Sequence, residues 1–459
     1  MANSVFLVTI RKYISSSMLL IIATMLALIV ANSPLKELYK QVWELPVAVS
    51  IGSFNLFSHN GHPMSFGAFI NDYLMAIFFL SVGLEIKREV LCGELSTMKK
   101  ALAPIIGACG GMLMPVIVFF LLCPKDPAME RGMAIPMATD IAFSLGVLSV
   151  FSKRVPLGLK IFLAALAVAD DLGGIIVIAI RYTEHISTPF LLGAACCTAI
   201  MLVGNWRQVR SKFFYVPIGI VLWYCMLNSG IHSTIAGVVM AFCIPANLPN
   251  GTKYYIEKIR DEIANFPDIE VTPADRNKPS ILSEDEIGIL KSVETASDHL
   301  ISPLQDLEDN LKVGINYYII PLFAFANAGV DFEGMSLANL FGGVGLAVML
   351  GLFIGKFVGV FSVSWAFIKL GVIQMPRHGT WKAFASVCMV CGIGFTVSMF
   401  IANLSYPNHP DLLNDAKLGI LVGSVISALV GCLMLHLTLP SEAELARIQQ
   451  EELEGECGI

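Results

Sequence analysis

The sequence predicts an all-α polytopic membrane protein with about twelve transmembrane helices. The first observation is composition. Of 459 residues, 56% are hydrophobic and only 14% charged, and the mean hydropathy is +0.72. The second is that the apolar residues gather into runs of spanning length. These lie near 14–31, 67–86, 101–123, 131–151, 157–180, 188–205, 213–228, 231–246, 313–330, 338–368, 383–405 and 416–439. About twenty apolar residues cross a hydrocarbon core as a helix. Runs this continuous are helices, because barrel strands would alternate.

Taken in order, Arg11 and Lys12 precede the first run. The run is long and others follow it, so it reads as an uncleaved helix rather than a signal peptide. Residues 1–246 carry helices I–VIII. Between I and II, PVAVSIGSFNLFSHNGHPMSF holds Gly52-Ser53 and Asn60-Gly61, which predicts an external hairpin over about 45–65. His59 and His62 there read as turn residues rather than a metal pair. Residues 247–312 form an acidic loop, 313–440 carry helices IX–XII, and 441–459 form an acidic tail with a short solvent helix. Within the loop, Ser283 with Glu286 predicts a capping box and a helix from about 284. Ile287, Leu290, Leu300, Leu304, Leu307 and Leu311 then recur at roughly helical spacing.

The third observation is the distribution of charge. The formal net charge is −6, but residues 247–312 hold 14 acidic and 7 basic residues, and the tail adds 6 acids and one Arg. The rest carries 22 basic against 16 acidic residues. The acidity therefore belongs to two solvent segments and points to no nucleic-acid partner; the partner the chain requires is membrane lipid. With the N-terminus inside, 15 Lys and Arg fall on the inner side and six on the outer. This predicts cytoplasmic termini and a cytoplasmic acidic loop. The eleven cysteines mostly lie within spans, with no zinc or disulfide spacing.

Asp140, Asp170, Asp171 and Lys356 fall deep within the runs. Each costs about 2.5–3.5 kcal/mol at a helix centre, against a return of about 0.3–0.6 from a Leu or Ile. Intramembrane charges default to an ion or proton path. A structural Asp–Lys pair accounts for Lys356 and one aspartate, but three acids and one base cannot all pair off. Pro136 stands one turn before Asp140 and removes a backbone hydrogen bond, while Gly392 and Gly394 interrupt another run. Broken helices in two halves point to a midplane ion site in secondary transporters. Asp140 would then face a positive half-helix end and Lys356 a negative one. GLFIGKF lacks the phosphate-loop spacing, no HExxH is present, and GIGF carries no aspartate for an intramembrane protease.

These residues carry a family likeness. NDYLMAIFFLSVGLEIKREV (71–90), AIPMATDIAFSLGVL (134–148), LAALAVADDLGGIIVIAI (163–180) and GIHSTIAGV (230–238) are four of the stretches concerned. With PLFAFANAGV (321–330), GLFIGKFVGV (351–360) and CGIGFTVSMFIANL (391–404), the chain closely resembles the NhaA family of bacterial Na⁺/H⁺ antiporters. The resemblance implies a twelve-helix fold in the bacterial inner membrane, with inverted repeats and two crossed, interrupted helices. It implies that Asp171 is the main cation ligand, with Asp170 its partner and proton carrier, Thr139 and Asp140 assisting, and Lys356 pairing with or competing against Asp170. It also implies a cytoplasmic pH-responsive cluster of Glu85, Arg88, Glu89 and Glu308, a pH-linked His232, and a homodimer through the hairpin. No cofactor is implied; Na⁺ or Li⁺ and H⁺ are cargo. Where the family pattern has two histidines after Glu308, this chain reads LEDNLK (307–312), and the acidic loop is longer than in the best-known member. Both departures touch the pH response and neither touches the ion site.

Adjacent buried carboxylates cannot both stay charged without compensation, so a proton or a small hard cation occupies them in turn. That exclusion is what makes exchange rather than leak. The resulting expectation is an electrogenic, pH-regulated Na⁺(Li⁺)/H⁺ antiporter and not an enzyme. The alternative is a proton-coupled carrier of another solute, which would place aromatic or hydrogen-bonding groups where small aliphatic residues stand. A cation channel lacks its repeated filter segment.

Overall fold

Alternating half-helices and glycine contacts organise this molecule more than helix length does. The computed structural model describes residues 15–51, 54–59, 62–151, 154–183, 186–247, 252–266, 283–332, 342–377 and 379–439. Arg11, Lys12, the turns at Gly52-Ser53 and Asn60-Gly61, and the tail 441–459 lie outside the described residues.

The helices are α1 (Ser16–Ala31), α2 (Lys36–Glu44), α3 (Phe66–Cys92), α4 (Met98–Leu122), α5 (Pro127–Met137), α6 (Ile141–Val150) and α7 (Leu157–Arg181). They continue as α8 (Thr188–Trp206), α9 (Lys212–Ser229), α10 (Ile235–Cys243), α11 (Thr252–Ala264) and α12 (Glu284–Leu300). The last are α13 (Pro303–Gly314), α14 (Ile320–Asn327), α15 (Gly343–Lys369), α16 (Trp381–Val390), α17 (Phe395–Ser405) and α18 (Pro410–Thr438). Each apolar run carries helix. Among the described residues, six helices are long and apolar enough to span a bilayer, or up to nine if three bent pairs each count as one. The runs near 213–228, 231–246 and 313–330 form α9, α10 and α13–α14, which are shorter or more polar.

α10 is short because the chain before it is held in a turn. Gly230 takes a left-handed φ of 87° after α9. Ser229 Oγ then accepts from Ile231 N at 3.3 Å, and His232 Nδ1 from Thr234 N at 3.4 Å. Such side-chain bonds give the backbone an alternative to helix. The 45–65 stretch forms short strands, Pro46–Val47 and Ser58–His59 both pairing antiparallel with His62–Ser65. In the loop the Ser283–Glu286 capping box is present and opens α12.

Two packing groups result. One joins α4, α5, α7, α15, α16, α17 and α18; the other joins α3, α8, α9, α10 and α13, with α1 against α14. At the centre of the first, α15 crosses α4 at a backbone-to-backbone approach of Gly110 and Gly359. A Cβ on Gly110 would meet Val363 Cβ at 2.8 Å, and one on Gly359 would meet the Gly110 carbonyl carbon at 2.8 Å. Small residues permit this closeness in a membrane, where van der Waals packing drives helix association. The crossing sets the depth of Lys356, one turn away on α15.

Gly359→Leu is expected to destabilise the protein by about 2 kcal/mol or more through overpacking, read as a lower thermal midpoint in detergent. Gly314→Ala, where a Cβ meets nothing within 4 Å, is expected to leave that midpoint unchanged or slightly raised.

Candidate ion site at two interrupted helices

The site forms where two broken helices pass each other. The first break runs from a 3-10 segment, Arg131–Met137 containing Pro136, through extended Ala138 and Asp140 to α6. The second separates α16 from α17 at residues 391–394. The two halves bend by 42° at each break.

Each break supplies partners for the other. Asp140 N donates to Ile393 O at 2.7 Å. The Asp140 carboxylate caps α6 by accepting from Phe143 N at 3.0 Å. Its second oxygen accepts from Thr396 N at 2.9 Å and Thr396 Oγ1 at 2.6 Å, closing the start of α17. One side chain therefore satisfies two helix N-termini, each carrying a partial positive charge. Ser398 Oγ donates to Ile135 O at 2.7 Å, and Gly394 N to Ser424 Oγ at 3.3 Å. Glycine is required at the second break, since a Cβ on Gly392 would sit 2.7 Å from Leu352 O and one on Gly394 2.9 Å from Ala138 O.

Beside the crossing, α7 presents Asp170 and Asp171, which are 1% and 3% exposed. Lys356 Nζ reaches Asp170 Oδ2 at 2.8 Å with both side chains fully buried. It also donates to Met137 O at the end of the 3-10 segment. Thr139 Oγ1 lies 2.7 Å from Asp170 Oδ2 and 3.1 Å from Cys391 O, so its single proton faces two acceptors, the carboxylate nearer. On Asp170 both contacts fall on Oδ2. Asp170 Oδ1 and Asp171 Oδ1 are buried without a hydrogen-bond partner. Burying such acceptors uncompensated is costly, so the pair is built for an occupant.

The structure thus brings Thr139, Asp140, Asp170, Asp171 and Lys356 together. Arg88 lies at the far end of α3 from the hairpin, with its terminal nitrogen 3.4 Å from Glu89 and 4.0 Å from Glu85. Arg88 Nε is 3.1 Å from Glu308 Oε2 on α13, an ion contact not aligned as a hydrogen bond. His232 stands apart from that cluster. Its Nε2 is 3.8 Å from Asp72 Oδ1, its Nδ1 2.8 Å from Thr234 Oγ1, and its ring packs edge-on to Phe400.

Sequence reasoning assigned no site role to Thr396, Asp72 or the carbonyls of Met137 and Cys391. Thr396 stood two residues past the Gly-Ile-Gly break, where a half-helix's first amides need acceptors. Asp72 was legible as an acid inside the 67–86 run. The carbonyls carry no signal, because every residue has one.

Thr396→Val is expected to cost about 1–3 kcal/mol by leaving Asp140 short of a bond, while Thr396→Ser keeps the thermal midpoint in detergent near that of the parent. Burial pushes the Glu308 carboxyl up from the ordinary glutamate range, and Arg88 and Lys312 pull it partly back. A raised folded-state value favours folding fully below the ordinary range and loses that contribution as pH rises through it. Glu308→Gln should therefore flatten the fall in thermal midpoint from about pH 4 upward.

Comparison with known proteins bears on this arrangement. The family profile described as Na⁺/H⁺ antiporter 1 matches residues 8–435. Relatives named Na⁺/H⁺ antiporter NhaA include one from Phocaeicola vulgatus, 49% identical over 94% of this chain and 95% of its own. One from Bacteroides thetaiotaomicron is 51% identical over 93% and 96%, and one from Helicobacter pylori 43% identical over 93% and 95%. Likeness of this extent, across a helical chain with several spanning helices and a buried carboxylate site, makes this multi-pass membrane protein a member of the Na⁺/H⁺ antiporter 1 family.

Proposed function

We propose that the protein is an electrogenic, pH-regulated antiporter that expels Na⁺ or Li⁺ in exchange for more than one proton. The observation that carries this is the Asp170–Asp171 pair, with one oxygen of each buried and unpartnered beside a buried Lys356. A carboxylate in that setting holds either a proton or a cation. A Na⁺ between Asp170 and Asp171 finds the two free oxygens and competes with Lys356 for the third. Thr139 can turn its hydroxyl proton to Cys391 O and offer its own oxygen.

The site then alternates between two states that differ by one charge. Without Na⁺, Lys356 neutralises Asp170 and a proton neutralises Asp171. With Na⁺, the Asp171 proton leaves, and Lys356, losing its partner, is the group positioned to release a second. One Na⁺ out against two protons in moves one net charge inward, worth about 2.3 kcal/mol per 100 mV. Sodium leaves the cell even when the pH gradient is small.

Asp140 acts as the fixed counter-charge to both half-helix starts. Glu85, Arg88, Glu89 and Glu308 join α3 to α13 on one face, so a change of protonation there shifts the two helices relative to each other, with His232 contributing near Phe400. Twelve helices in the bacterial inner membrane, both termini and the 247–312 loop cytoplasmic, and a homodimer through the 45–65 strands complete the proposal.

Everted vesicles with an acid interior and a pH-sensitive dye test it. NaCl or LiCl is expected to collapse the gradient with wild type and not with Asp171→Asn, while KCl acts on neither. Absence of a response to Na⁺ and Li⁺ in wild type from about pH 6.5 to 8.5, a range bracketing the neutral region where carboxylate–lysine sites operate, overturns it.

A further inference from the structure

Three asparagines from three elements join side chain to side chain near the hairpin end of the molecule. Asn403 Nδ2 on α17 donates to Asn327 Oδ1 on α14 at 2.8 Å, and Asn327 Nδ2 donates to Asn71 Oδ1 on α3 at 2.9 Å. Each donating amide gives its other N–H to its own helix, Asn403 to Met399 O and Asn327 to Phe323 O, both at 3.0 Å. Both amides are thereby fixed in orientation, and Asn327 is only 4% exposed.

The ladder ties together the two packing groups. Asn403 belongs to α17, whose first turn grips Asp140 through Thr396. Asn71 and Asn327 belong to the group of α3 and α14. Asn71 lies seventeen residues before Arg88 on α3, about 25 Å along a helix, so the ladder and the charge cluster stand at opposite ends of α3. Around the ladder the contact is aromatic, with the Phe400 ring 5.4 Å from those of Phe79 and His232. The other half of the same interrupted helix, α16, packs on α18, α15 and α7, and its Ser386 bonds to Thr438 of α18 at 3.0 Å. Both halves thus pack within the first group, and through Asn403 the α17 half also reaches the second.

We infer that Asn71, Asn327 and Asn403 are positioning residues of the transport cycle, an amide latch that shuts the hairpin side of the ion site and parts each time the site turns to that side. The inference rests on the exchange proposed above, since alternating access is what requires the two groups to separate on one face and then the other. The latch contributes nothing to cation coordination. It weights the two states, and a bond made in only one of two states shifts their populations by its own worth.

The test uses the full-length chain in proteoliposomes, with native cysteines replaced and Asn327→Cys and Asn403→Cys introduced together. A short, reducible bifunctional thiosulfonate is added, and Na⁺-driven loss of an imposed pH gradient is followed. Bridging is expected to slow exchange at least tenfold and reduction to restore it, while either single cysteine treated with the reagent keeps its rate. Exchange that continues unchanged through a bridge verified by mass spectrometry overturns the latch. An unbridged parent that ignores sodium overturns the antiporter reading instead. Asn403→Leu gives a second readout. Half-saturation for Na⁺ supplied on the hairpin side is expected to fall about fivefold, the worth of one net hydrogen bond, with Asn403→Gln closer to the parent. Equal half-saturation in Asn403→Leu and parent contradicts the inference.

Discussion

Everything in this structure depends on satisfying backbone groups at two helix breaks where no water can reach. Inside a bilayer an interrupted helix is tolerated only where protein or a polar cavity receives its loose ends. Here the two breaks receive each other. The Asp140 amide bonds to the Ile393 carbonyl, and the Asp140 carboxylate closes both α6 and α17. Removing either break would strand the other's groups, so the crossing exists as a unit.

That unit places the rest. With the ends of α5 and α6 fixed, Met137 O and the Thr139 hydroxyl point toward α7 and α15, where they receive Lys356 and reach Asp170. The glycine contact between α4 and α15 puts Lys356 at the required depth. A lysine and three aspartates cannot neutralise one another, and the geometry decides which is left over. Asp140 is held by helix ends and Asp170, through one oxygen, by Lys356 and Thr139, which leaves Asp171 as the acid with no ion pair.

The two packing groups differ in what they carry. One holds every intramembrane charge of the crossing; the other holds Arg88 with its glutamates at one end and Asn71 at the opposite end. The two groups touch through α3 with α7 and through α14 with α17.

Membrane class, helix positions and the identity of the four deep charges were legible in the sequence alone. Apolar runs and intramembrane acids report on local transfer energies, which are additive along the chain. Pro136 and the Gly392–Gly394 pair likewise announced the breaks, because their backbone chemistry is local. The number of spans was less legible: α10 is cut short by hydrogen bonds that the Ser229 and His232 side chains accept from the backbone, which composition does not reveal. Only tertiary structure decided that Thr396 serves Asp140, that Asp72 faces His232, and that Lys356 chooses Asp170 over its neighbour. Those outcomes depend on which helices cross and at what depth. Backbone carbonyls and glycine contacts settle both, and neither leaves a mark in the sequence that distinguishes one partner from another.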